Sequence, residues 1–176
     1  MSEQLVRLME AADGPLVVVT TVAEGVRAGC VVGFHTQSGV APARYGLWLS
    51  KANHTYRAAV RAEHLAVHFV GRGDADLARR FGTQCSGEVD KFADLDWTEG
   101  PGGLPLIDAL PHRLVLRKLT MLDPGGDHVG ITGAIEDVRH EGPLEPLRLS
   151  DANHWTPGHE TGERAIDPSG SGADGD

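Results

Sequence analysis

Six short β-rich runs separated by turn residues, against three short helical patterns, predict an all-β protein, a barrel or sandwich with helical decorations. A doubly wound α/β sheet would need a crossover helix between successive strands, and the chain carries too few helical segments to supply them. The strand runs are residues 16–21, 28–34, 45–50, 65–70, 113–122 and 129–138.

Each element has a local reason. Leu5, Leu8 and Met9, with Val6 beside them, recur at helical spacing over residues 2–12, and Asp13-Gly14-Pro15 stops that helix. The run LVVVTT at 16–21 is β-branched and of strand type, and Gly25 marks the turn into the next strand. Residues 45–50, YGLWLS, and 65–70, LAVHFV, are further strands. Tyr56, Ala59 and Val60 space a helix over 55–63. Asp74 reads as the N-cap of a helix carrying Leu77 and Phe81.

Composition narrows the function classes. At 176 residues one domain is expected, large enough to bury roughly two-thirds of its unfolded surface. Aromatic residues are only 5%, so Val, Leu, Ile and Ala must build the core. The net charge of −9 argues against a general nucleic-acid binder, which needs a basic face, but leaves room for a local cation at a single phosphate. No apolar run approaches the roughly 20 residues of a membrane helix, and no signal peptide is visible. Two cysteines, Cys30 and Cys85, support neither a disulfide framework nor a four-Cys zinc site. A cytoplasmic location is the expectation. From residue 156 the chain turns to Gly, Pro, Ser and acids, which predicts a folded body over 1–155 and a disordered tail over 156–176.

His64 and His68 lie four apart, but His68 sits in a strand run and no HExxH pattern is present. The nine histidines read as scattered surface and loop residues, with no metal site expected. There is no GxSxG, no Walker A and no GxGxxG opening a helix. Cys30 reads as core, and Cys85 lies in a turn. One segment stands out: Ser50-Lys51-Ala52-Asn53-His54-Thr55 runs from a strand end into a helix start, where hydroxyls, a lysine and outward N–H groups can hold an anion. An N-cap with a surface lysine explains the same residues.

Several segments then converge. VVVTTVAEGVRAGCVVGFHTQ, LWLSKANHT, HLAVHFV, LARRFG, DKF, GGLPLID and GDHVGITG resemble, in order and spacing, the flavin reductase-like, FMN-binding split-barrel proteins. The likeness covers residues 14–138. It implies a Greek-key split β-barrel acting as a homodimer, with FMN, alternatively FAD, in a groove at the subunit interface. It implies a flavin loop of Gly33, Phe34, His35, Thr36, Gln37, Ser38 and Gly39, and a phosphate segment of Ser50, Lys51, Ala52, Asn53 and Thr55. Where the family often has a Ser-x-Ser pair, this chain has Gln37 and Gly39, and the second of two family prolines is Ala43.

The activity implied is NAD(P)H-dependent flavin reduction by hydride transfer from nicotinamide C4 to flavin N5, the chemistry belonging to the cofactors. Backbone N–H groups near Thr36–Ser38 would face the reduced ring, and His128 of the Gly-Asp-His motif would line the nicotinamide side. Reduced flavin would pass to a monooxygenase partner. Three other readings share the fold: a non-catalytic flavin-storage protein, a deazaflavin-using reductase, and a haem protein ligated by His35.

Overall fold

The structure, a computed structural model, describes residues 2–84 and 89–156. The turn around Cys85 and the Gly/Pro/Ser/acidic stretch from 157 lie outside the described residues. Helix α1 (Glu3–Ala12) is capped by Ser2, whose hydroxyl accepts the Leu5 N–H, and it ends at Asp13 in the left-handed region. It is tied down at that end. The Asp13 carboxylate accepts from the Ser150 N–H and hydroxyl, and Arg148 donates to the Asp13 carbonyl.

Strands β1 (Val17–Ala23) and β2 (Val26–Val32) form a hairpin whose two turn residues, Glu24 and Gly25, both have positive φ. Seven strands make one antiparallel sheet. In spatial order they are β2, β1, β5 (His64–Phe69), β8 (Arg113–Leu122), β9 (His128–Arg139), β4 (Ala43–Ser50) and the edge strand β3 (His35–Val40). That non-sequential order is the expected Greek-key barrel. Curling of the sheet brings β2 and β4, far apart in the order, onto one core: Cys30 and Val32 join Leu47, Leu49, Leu65, Val67, Leu116 and Ile131.

β1 is buried on both faces, which is why its sequence is a continuous β-branched run instead of an alternation. Val17 and Val19 point into the barrel, while Val18 packs outward against Phe81 of helix α3 (Ala75–Thr83), with Phe92, Ile107 and Leu147. Gly29 is the seat for Phe81: a Cβ there would lie 2.8 Å from the ring. Helix α2 (His54–Arg61) starts at the Asn53 N-cap and ends where Lys118 donates to the Ala59 and Val60 carbonyls.

Three expectations need correction. The segment 33–39 is not a loop throughout: from His35 it is strand β3, bulged between Gln37 and Gly39. Its polar sequence hid this, because an edge strand is held by one ladder of backbone bonds and does not require an apolar face. Asp74 stands at the α3 N-cap, but its side chain makes no cap bond there, because residues 72–74 first form a 3₁₀ turn. Two short strands flanking the turn at Pro101–Gly103 were not foreseen. That turn leads into β7 (Pro105–Ile107), which pairs with β6 (Trp97–Glu99), and both strands are too short to show periodicity. Finally, His68 is no surface histidine. It is wholly buried, with Nδ1 donating to the Val18 carbonyl and Nε2 accepting the Ile107 N–H.

Candidate functional site

Alternation along β4 sorts its side chains. Tyr45, Leu47 and Leu49 enter the barrel core, so Gly46, Trp48 and Ser50 face outward. On β9 the residues opposite these three are Thr132, Gly130 and His128. On the other side, β3 sets Thr36 opposite Gly46, and the Trp48 N–H donates to the Phe34 carbonyl at 2.9 Å. The outer face of β3, β4 and β9 therefore gathers Phe34, Thr36, Trp48, Ser50 and His128 into one surface.

Two glycines shape it. A Cβ on Gly130 would lie 3.0 Å from Trp48 Nε1, and one on Gly46 would lie 3.8 Å from Trp48 Cη2. The indole thus lies across the sheet from one glycine to the other, leaving a flat, partly exposed aromatic surface (39% of Trp48). Next to it Phe34 meets the His128 ring edge-on, with centroids 5.2 Å apart. His128 Nδ1 lies 2.8 Å from Asp127 Oδ1. That hydrogen bond from the imidazole is the main cause holding the Asp127 carboxyl below its ordinary range. An ionised carboxylate only accepts, so Nδ1 carries the proton of this bond.

Beyond Ser50 the chain turns into α2. The Ala52 N–H donates to the Ser50 hydroxyl, and Asn53 Oδ1 accepts the Thr55 N–H as the helix cap. Lys51 is joined to the 123–127 turn twice: its N–H donates to the Asp127 carbonyl, and its Nζ lies 2.7 Å from Asp123 Oδ2. That ammonium holds the Asp123 carboxyl below the usual carboxylate range, and the Gly125 N–H adds to the effect.

The predicted residues do not all reach this surface. Phe34, Thr36 and Ser38 lie along it; Gly33 sits instead against Leu149 and Leu16, and Gln37, opposite core-facing Tyr45, donates to the Gly39 carbonyl. Gly39 is closely packed: a Cβ would lie 3.0 Å from the Pro42 carbonyl and 3.2 Å from Arg44. A serine at 39 would therefore need the hairpin to shift, which accounts for the glycine. His35 turns inward, with Nε2 donating to the Pro15 carbonyl and Nδ1 2.7 Å from the Tyr45 hydroxyl. Burial lowers its pKa. With both ring nitrogens engaged, it offers no lone pair to a haem iron in this arrangement. Thr55 is fully buried, and its hydroxyl makes no well-formed hydrogen bond beside the Cys30 thiol, so its side chain presents nothing to a phosphate.

Three residues of the site were not anticipated: Trp48, Asp123 and Asp127. Trp48 carried a signal, because an aromatic between Leu47 and Leu49 in a strand must point away from the core they enter. The two acids carried none, since they act through contacts that only the fold creates. Among the described residues no three His, Cys, Asp or Glu side chains gather to hold a metal, and no helix is long and apolar enough to cross a membrane.

Comparison with known proteins matches this fold to one class. The model of the flavin reductase-like domain fits residues 9–154, and the chain belongs to that family. Among relatives, it is 28% identical over 131 residues to the reductase subunit of a flavin-dependent monooxygenase from Rhodococcus jostii. That match covers 72% of this chain and 65% of the relative, so the chain spans just under two-thirds of that protein's length. The corresponding subunit from Mycobacterium tuberculosis is 25% identical over 134 residues, covering 76% of this chain and 70% of the relative. In structure, the chain superposes on the NADH:FAD oxidoreductase of Streptomyces globisporus with a TM-score of 0.72 at 22% identity, covering 83% of this chain and 88% of the other. An FMN-binding protein from Thermus thermophilus gives 0.69 at 22% identity, covering 77% and 79%. These two likenesses concern the fold.

Proposed function

We propose that this protein is an NAD(P)H-dependent flavin reductase that hands reduced flavin to a monooxygenase, working as a homodimer. The observation that carries the reading is the outward row on β4. A flat indole laid over two glycines continues through Ser50 into a turn bearing the one lysine of the phosphate segment. That geometry suits a ligand that is planar at one end and anionic at the other, as FMN and FAD are. The family membership and the monooxygenase reductase relatives support it.

A bound flavin would supply the two-electron carrier. The chain's own groups position it. Trp48 offers a stacking surface, and Thr36 and Ser38 offer hydroxyls at the edge strand. Ser50 and Lys51 face the phosphate end. His128, its Nδ1 proton held by Asp127, lines the ring-binding surface beside Phe34, where the nicotinamide would lie. Phe34 and Trp48 keep that surface apolar and limit water at the transfer site.

The test is NADH and NADPH consumption in air with added FMN or FAD, each against a protein-free control. Flavin-dependent turnover supports the reading, and the better pair identifies the cofactors. Flavin binding without turnover would instead favour a storage protein or a deazaflavin enzyme. Elution volume on calibrated gel filtration reads the dimer.

A further inference from the structure

The phosphate segment is already occupied by its own chain. Lys51 is paired at 2.7 Å with Asp123, Asn53 Oδ1 caps α2, and the Thr55 hydroxyl is buried. Asp123 is not a chance neighbour on a loose side chain. Its Oδ1 accepts the Gly125 N–H at 2.8 Å while its Oδ2 meets Lys51, so both carboxylate oxygens are held. Asp127, whose carbonyl anchors the Lys51 N–H, adds a second carboxylate on the same turn. The one ammonium of the segment thus stands paired with Asp123 where a phosphate dianion would sit, while the Asp127 carboxylate is taken by His128.

We propose that Asp123 is a specificity residue of this site: it competes with the ligand's phosphate for Lys51 and so narrows the advantage of FMN or FAD over riboflavin. The inference rests on the flavin reductase reading above. The pair is half exposed, 28% for the Lys51 side chain and 51% for Asp123, and such ion pairs are weak, so a phosphate can displace the carboxylate. Displacement has a cost, and the carboxylate left beside the phosphate repels it. Both effects fall on phosphate-bearing flavins and neither falls on riboflavin. The ordinary advantage of a phosphate is thereby trimmed, which suits a flavin that must leave with its electrons.

The experiment is titration of FMN, FAD and riboflavin into the full chain and into Asp123→Asn at low salt, reading flavin fluorescence. Asp123→Asn is expected to tighten FMN and FAD about three- to five-fold, with riboflavin held within error. In a Lys51→Ala background the same change should tighten FMN and FAD clearly less, because the competition is gone and only the repulsion remains. Equal tightening of all three flavins, or of none, overturns the proposal while leaving the reductase reading intact. If wild-type protein binds no flavin at all, the reductase reading falls and takes the proposal with it.

Discussion

Nε2 of His68 accepts the Ile107 N–H at 3.1 Å while its Nδ1 donates to the Val18 carbonyl at 3.2 Å, so one buried imidazole ties β7 to the barrel wall. A second proton on Nε2 would face a donor, so the folded state requires the neutral ring. Burial is the largest cause of the shift and the Arg113 charge adds to it, against the Val18 carbonyl; together they bring the pKa down to about 4.

Acid should therefore unfold the protein through this residue. The unfolded chain binds the proton near pH 6.5 and the folded one only near 4, so the contribution is complete above 6.5 and is lost as pH falls between them. The loss amounts to about 3 kcal/mol over that range. Urea unfolding of wild type and His68→Gln from pH 7.5 to 4 checks it: the variant should be less stable at pH 7.5 and show a flatter decline. Parallel slopes would refute the assignment.

Gly29 and Phe81 should be energetically coupled. Gly29→Ala places a Cβ 2.8 Å from the Phe81 ring and 3.2 Å from the Val19 carbonyl, and overpacking of this kind costs about 1–3 kcal/mol. In a Phe81→Ala background, itself costing about 3–5 kcal/mol, the same change should cost much less. A double-mutant cycle in urea measures the coupling.

Cys30 should be chemically inert in the folded protein. The thiol is buried, and burial pushes its pKa up to about 11 despite the nearby Thr55 hydroxyl. Iodoacetamide at pH 8 followed by peptide mapping should leave Cys30 unmodified without denaturant and fully modified with it.

Trp48→Ala should weaken FMN, FAD and riboflavin alike, about three- to ten-fold, since stacking does not involve the phosphate. It should also remove most of the tryptophan fluorescence quenching that flavin produces in wild type. This pattern differs from that of Asp123→Asn, which separates phosphate-bearing flavins from riboflavin. Unchanged affinity and unchanged quenching would place the ring elsewhere.

Much of the barrel was legible in the residues. The runs at 16–21, 65–70, 113–122 and 129–138 are strands because β-branched and aliphatic residues there can be buried only on a sheet, and Asp13-Gly14-Pro15 ends α1 as expected. Cys30 is core, as its apolar neighbours imply. β3 was not legible, since HTQSGV has no apolar face and becomes a strand only because β4 offers it a ladder. The site was legible in part: the Ser50–Asn53 turn and His128 come together as register partners of one sheet end, whereas Thr55 and His35 turn inward.

The division follows from the range of the forces involved. Turn chemistry, strand alternation and capping act within a few residues, so the chain alone determined the barrel class, the helix stops and the position of the Lys51 turn. Which face His68 would occupy, that Gly130 would admit Trp48, and which carboxylate would claim Lys51 depend on partners 39 to 82 residues away. Those contacts arise only when Greek-key pairing sets β4 beside β9, so the tertiary structure decided them.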